Sequence, residues 1–532
     1  MMRAYSFVFL GLLGCSNAAR PAISALHYEA SLHGLEPCVL DVDVDIETSS
    51  PSITLGGVEP AGLVSVEIKN EAGKHRAEIK DGSVVVDCRG SCRISYRYDL
   101  SQAAAAGGWG LDGVYEREGD VLSRGMAWLL RPTPTVKGTP VDLQVHVPDG
   151  LFFTSGLRKA EAEGHYALRS EELQALGFTA FGKRKAQRVD LTGGSVDVYV
   201  FPGNRRATDE SIAAWAKQSG LSLDHIFGHF PMKHAAIFVV PMAGADSVGY
   251  GVMVPTGGGT IAVLLGEDTD DRSLLVDDWV LVHEMFHLGV PSFRHGETWL
   301  NEGLATYYEP LARTRAGFIS ADSYWKTLAK DMPRGVRSDV PLPEAHDFQR
   351  IYWGGAFLSM WADVEIRRRT NGKYSLDDGL RALLADGGDA MTVYSISMIG
   401  HIVDQAVTVP VFSELMAKAT QKQQERGCGT QSSNETWPPQ ACASEAEALN
   451  SMLYALGLDT KAHTTNILEN AALAQIRDMM VLPNGPRRKM ANIDWGSEIK
   501  TLPFASTNNG SRIRFEEIWV MNQPHTLANL LR

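Results

Sequence analysis

From about Ile23 to Gly156 the chain alternates apolar and polar residues in short runs between turn signals, as in CVLDVDVDI, GLVSVEIKN, SVVVDCRGSCRISYRYDL and VDLQVHVPDG. A period of two with one apolar face predicts an antiparallel β domain. The alanine-rich AAAAGGWG, Ala103 to Gly110, reads as a loop within it. Further on, VDVYVFPG from Val196 and AAIFVVPM from Ala235 read as strands, separated by a helix over Thr208 to Ser219 with Gly220 at its end. Beyond Pro310 the apolar spacing becomes helical. IYWGGAFLSMWADVEIRRRTNGKYSLDDGLRALLADGG predicts one helix stopped at Asn371-Gly372 and another opened by Ser375 with Asp378. Helices are also expected through VPVFSELMAKATQKQQER, SEAEALNSMLYALGL and TTNILENAALAQIRDMM, with a tail of uncertain structure after them.

The fold class expected is therefore multidomain α+β. Its parts are a signal segment at 1–19, an N-terminal β domain at 20–175, a mixed domain at 176–325, a helical domain at 326–480 and a tail at 481–532. A chain of 532 residues is too long for one core, which agrees with roughly three domains.

The chemistry concentrates in LVHEMFHLGVPSFRHGETWLNEGLATYYEP, from Leu281 to Pro310. His283 and His287 stand four residues apart, so on a helix they project about 40° apart and can reach one ion. Glu284 lies beside them as a candidate general base, and Glu302, on a second helix, can supply a third ligand. Ser273 is expected to cap the motif helix, with Asp277 and Asp278 in its first turns and Gly289 at its end. Leu281, Val282, Met285 and Phe286 form its core side. Pro310 is expected to kink or restart the second helix. His295, in the connection, reads as a solvated loop histidine. His225, His229 and His234 read as scaffold, because Ile226 occupies the acidic position and Gly228 and Pro231 break the helix.

WLNEGLATYYE resembles the second motif of the gluzincin aminopeptidases, the alanyl aminopeptidase family and its glycyl aminopeptidase relatives. The resemblance implies a thermolysin-like catalytic domain and one Zn2+ ion held by His283, His287 and Glu302, with Glu284 as general base. It implies that Glu309 is a carboxylate behind the ligands; the other reading is an exposed i, i+4 salt bridge to Arg313. The helical stretch beginning IYWGGA is similar to the glycyl aminopeptidase family. There it implies that Tyr352 donates its hydroxyl to the oxyanion. In GVMVP, Gly251 to Pro255, the place of the Glu that binds a substrate's free amine in the alanyl aminopeptidases is taken by Val254. The neighbouring TGGGTIAVLLG is expected to form an edge strand for an extended peptide, with Gly251, Gly258 and Gly259 permitting close approach. The function expected is a zinc-dependent peptidase acting on peptides or proteins, aminopeptidase-like but without that Glu. The alternative is a retired fold of this type serving as a cell-envelope binding module, which zinc content would separate.

A net charge of −13 argues against nucleic-acid or anionic-membrane partners. The apolar run from Ala4 to Gly14 after Arg3 suits a signal peptide. LLGC also resembles the bacterial lipobox, which would anchor the protein to a membrane through a lipid on Cys15; the other reading is cleavage near Ala18. Export to a bacterial envelope or periplasm is expected, with secretion as the alternative. An oxidising compartment suits the remaining cysteines. Cys428 and Cys442 bracket a polar segment and are a candidate disulfide, whereas Cys88 pairs with Cys92 or one of the two with Cys38.

Overall fold

The computed structural model describes residues 23–88, 90–107, 113–133, 137–292, 297–336, 340–419, 444–459, 465–468 and 471–482. Cys15, His295, Cys428, Cys442 and the expected tail from 483 onward lie outside the described residues.

The alternating runs become three sheets. A seven-stranded sheet has the order His165–Arg169, Pro140–His146, Ile23–Leu35, Cys38–Thr48, Gly90–Asp99, Leu63–Asn70, Gly73–Arg76. One pairing departs from the antiparallel expectation: Pro140–His146 runs parallel to Ile23–Leu35, in the register Leu26 to Val141. A strand that returns after more than a hundred residues is free to enter in either direction, whereas a tight hairpin is not. Alternate residues of Cys38–Thr48 are buried, from Cys38 and Leu40 to Ile46. Small sheets of three and four strands pack with it, and Phe178–Gly182 completes the four-stranded one. Cys88 is bonded to Cys92, and Cys38 is a free, buried thiol.

The stretch expected to be a loop at Ala103 begins as a helix, Leu100–Ala106. Asp99 accepts a hydrogen bond from the Gln102 amide and Gly107 closes the helix in the left-handed region, so capping and alanine propensity win over the glycines that follow.

The second unit is built on a five-stranded sheet ordered Gln187–Leu191, Gly194–Val200, His234–Met242, Gly259–Gly266, Val248–Val254. Its first helix, Asp209–Ser222, is capped by Thr208. The expected edge position is corrected by this order: Gly259–Gly266 is interior, and the edge is Val248–Val254. Gly258 is pressed against the N-terminal domain, where a Cβ on it would sit 1.8 Å from the Gly156 carbonyl oxygen, whereas a Cβ on Gly259 would sit 2.6 Å from Met232 Sδ and 2.8 Å from Leu288 Cδ2 within its own unit. Arg158 and Gly177 donate backbone hydrogen bonds to Gly257 and Thr256, so the hairpin leading out of the edge strand is clamped from that side. The close approach at Gly258 serves domain packing, and that at Gly259 serves packing under the motif helix's end.

Helices follow to the end of the described chain. The stop at Asn371-Gly372 is realised by two positive φ angles, 52° and 74°, and Ser375 with Asp378 forms a capping box. Among the described residues of TTNILENAALAQIRDMM, Ala474–Met480 is helical, whereas Asn466–Ile467 pairs with Leu458–Asp459. The helix Thr298–Ala316 continues past Pro310, so the expected restart does not occur. Its neighbours hold it on both sides of the proline. Tyr307 and Tyr308 donate to Asp363 and Asp377, each at 2.9 Å, and Arg315 meets Asp377 at 2.8 Å in full burial. Tertiary bonds of this kind override the local cost of one missing backbone donor.

Candidate metal centre

The motif helix is Val280–His287, shorter than expected. Ser273 does not cap it: Ser273–Asp277 forms a separate π-helical turn, and Asp278 then stands in extended conformation. The Asp278 carboxylate accepts from the amides of Val280 and Leu281, at 3.0 and 3.2 Å, while Trp215 donates its indole N–H to the same group at 2.9 Å. A tertiary partner thus selects Asp278 over Ser273 as the group that starts the helix.

His283 and His287 leave this helix side by side, their rings 4.8 Å apart and at 85° to each other. Glu302, four residues into Thr298–Ala316, reaches both. Its Oε2 lies 3.2 Å from His283 Nε2 and 3.5 Å from His287 Nε2. A tetrahedral zinc with bonds of about 2.0–2.1 Å needs donors roughly 3.3 Å apart. The separations fit, and among the described residues these three make the one group of His, Cys, Asp or Glu donors close enough for a shared ion, all within 4.8 Å. His225, His229 and His234 form no such group; His234 instead reaches the Ser155 carbonyl at 3.2 Å.

The imidazoles are buried, at 3% and 6% exposure, and Glu302 is at 19%, so the carboxylate side faces what opening there is. Burial works against charge on His287, but Glu302, Glu284 and Asn301 outweigh it and bring that imidazole up to about 9 when no ion is present. Burial likewise opposes ionisation of Glu302, and the two histidines overcome it, holding this carboxyl well below its usual range. Glu284 goes the other way: desolvation dominates and raises it, with His287 and His283 opposing. One carboxylate is thus committed to charge and the other is poised to carry a proton, the division that acid–base work at a metal requires.

The edge strand positions Glu284. A Cβ on Gly251 would fall 2.7 Å from Glu284 Cγ and from Val280 Cγ1, so only glycine lets the strand lie this close to the motif helix. Two residues on, the Met253 amide donates to the Glu284 carboxylate. Val254 is buried in the apolar cluster that includes Phe178 and Phe238.

Tyr352 lies in a π-helical turn, Arg350–Gly354, that leads into the helix Gly355–Arg369. Its ring stacks between Phe348, 4.0 Å away, and His283, 6.0 Å away and tilted by only 12°. Its hydroxyl hydrogen-bonds Glu302; burial, then Glu302 and Glu284, push it well above the ordinary phenol range, so it stays a donor. The approach depends on two glycines. A Cβ on Gly303 would sit 2.3 Å from the Gly355 carbonyl carbon, and one on Gly355 would sit 2.2 Å from the Trp299 oxygen.

Glu309 does pair with Arg313, at 2.9 Å, but the pair is buried, each side chain at 9% exposure. The expectation of an exposed bridge is thereby corrected. Burial raises the Glu309 carboxyl while Arg313 and, more weakly, His283 pull it down. Arg313 donates in addition to the carbonyls of Val276 and Asp277, tying down the chain that enters the motif helix.

Two residues at this centre escape a reading of the sequence. Tyr250, on the edge strand, is pushed up to about 12 by burial and by Glu284 and Glu302. Asn301 places Oδ1 2.8 Å from His287 Nδ1. Only its position directly before Glu302 could have drawn attention to it.

No protein-family model matches this chain, and no curated protein does. Solved structures do. An M1 zinc metallopeptidase from Deinococcus radiodurans aligns at 16% identity over 76% of this chain and 95% of its own, with a TM-score of 0.46. An aminopeptidase N family protein from Idiomarina loihiensis aligns at 14% identity over 75% of this chain and 76% of its own, with a TM-score of 0.55. At that identity the likeness is one of fold: this chain has the fold of that aminopeptidase N family protein.

Proposed function

We propose that the protein is a zinc-dependent peptidase of gluzincin type that does not rely on a substrate's free amine in the way the alanyl aminopeptidases do. The observation that carries the reading is the convergence of His283, His287 and Glu302 at ligand spacing with Glu284 buried beside them. Zinc, when bound, supplies a Lewis acid that polarises the scissile carbonyl and makes water acidic near neutral pH. The remaining work falls to side chains. Glu284, with its raised pKa and the Met253 amide to orient it, takes the proton of the attacking water and returns it to the leaving amine. Tyr352 exchanges its bond to Glu302 for one to the oxyanion as charge develops there.

Val254 supports the second half of the proposal. Where a charge-assisted bond to an amine would contribute about 1.5–3 kcal/mol, this chain has a buried apolar side chain. Internal peptide bonds or blocked N-termini are then substrates too. The apolar run at the amino terminus supports export to the cell envelope as part of the same reading.

Replacing Glu284 by Gln tests the mechanism: zinc content should stay at one ion per chain while cleavage of a peptide panel disappears. Undiminished turnover would sink the assignment. Within the panel, acetylated peptides should be cut alongside free ones; strict dependence on a free amine would show that another carboxylate has replaced the missing one.

A further inference from the structure

Arg350 and Tyr352 stand two residues apart on one π-helical turn, so their side chains leave it by opposite sides. Tyr352 goes to the centre, while Arg350 goes the other way and is only 5% exposed. There its guanidinium ties three pieces of chain together. Nε donates to the Val340 carbonyl at 3.1 Å and Nη1 to the Gly335 carbonyl at 2.8 Å. Nη1 and Nη2 also grip the two carboxylate oxygens of Glu445, at 2.5 and 3.0 Å. A guanidinium can form such a fork and an ammonium cannot.

Glu445 lies 95 residues further along the chain. It opens the helix Glu445–Ala455, whose start is fixed by a capping box between Ser444 and Glu447 and which buries Leu449, Met452 and Leu453. The acceptor therefore sits on a well-anchored element. A single π-helical turn has few internal bonds to hold its shape, and such turns recur at functional sites. Here the contact of Gly303 with Gly355 pins one end of the turn, and Arg350 pins the other. Gly335 also presses on it from outside: a Cβ there would sit 2.1 Å from the Gly354 nitrogen.

We propose that Arg350 and Glu445 are positioning residues whose buried ion pair holds the turn so that the Tyr352 hydroxyl is aimed at the oxyanion. The C-terminal helical region thereby takes part in the reaction without touching substrate. This rests on the zinc-peptidase reading above and deepens it. Both partners are largely shielded from solvent, so water does not replace one that is lost.

The test is a double-mutant cycle on the full chain, with zinc content, kcat and KM measured on one peptide for every variant. Glu445→Gln keeps the shape of the side chain and breaks the charged fork. It should lower kcat about 10- to 100-fold, as a misaimed group does, and leave KM within about twofold, with zinc at the parental level. In a Tyr352→Phe background the same change should cost less than about twofold more, because the hydroxyl it aims is already gone. Arg350→Lys, which keeps the charge but not the fork, should behave as Glu445→Gln does. Parental kcat in Glu445→Gln would overturn the proposal alone. So would a loss that multiplies with that of Tyr352→Phe, since the pair would then act on the fold at large. A parent that neither holds zinc nor cuts peptides would overturn the zinc-peptidase reading as well. If Glu445→Gln does not fold, Glu445→Asp takes its place in the cycle: a kcat loss that vanishes in the Tyr352→Phe background upholds the role, and an unchanged kcat or a multiplying loss refutes it.

Discussion

Histidines stand beside carboxylates in two regions of this molecule, with opposite consequences. On the open face of the seven-stranded sheet, His27 meets Asp142 at 2.8 Å and His146 meets Glu29 at 3.1 Å, with every side chain about as exposed as buried. At the candidate metal centre the separations are similar, 3.2 and 3.5 Å, but both imidazoles converge on one oxygen and are nearly sealed from water. Solvent screens the first set, and such pairs contribute about 0–1 kcal/mol. In the second set water cannot compensate, so the groups bias one another strongly and an ion that satisfies all three is favoured. Distance alone does not distinguish the two regions. Convergence and burial do.

The largest expected effect that would break this contrast is at Glu302. Glu302→Ala should abolish stoichiometric zinc, read by elemental analysis after dialysis, and peptide cleavage with it; retained zinc would mean that the three donors do not act together. Next comes Tyr352→Phe, which removes one hydroxyl while keeping the Phe348 stack. It should lower kcat about 100- to 1000-fold with zinc content unchanged, and steady-state kinetics on one peptide are enough to see it. The smallest effect is at the exposed region: His27→Ala should change unfolding free energy by no more than about 1 kcal/mol and leave zinc and kcat alone. A large loss there would erase the distinction between the two regions.

How far the sequence could be read follows the same division between local and tertiary causes. The alternating strands, the Thr208 cap, the Ser375 capping box and the HExxH pair are local signals, and each element forms about where its residues place it. The failures have partners far along the chain. Ser273 lost the cap to Asp278 because Trp215, some sixty residues earlier, holds that carboxylate. Pro310 stays inside a helix because Asp363 and Asp377 brace the neighbouring turns. TGGGTIAVLLG looked like an edge, but strands pair with it on both sides, and Gly156 of the other domain occupies the space that Gly258 leaves. Asn301 was hidden for a related reason: an Asn in a helix has many ordinary uses, and only the position of His287 gives this one its purpose.

The backbone contact between Gly303 and Gly355 carries a consequence for anyone altering this protein. At that crossing point main chain meets main chain, with no side chain between to trade for a larger or smaller one. The spacing from Glu302 to Tyr352 is therefore set first by this crossing and only then by the side chains of the surrounding walls. Selectivity can be redesigned on those walls, while the crossing itself must be left as it is.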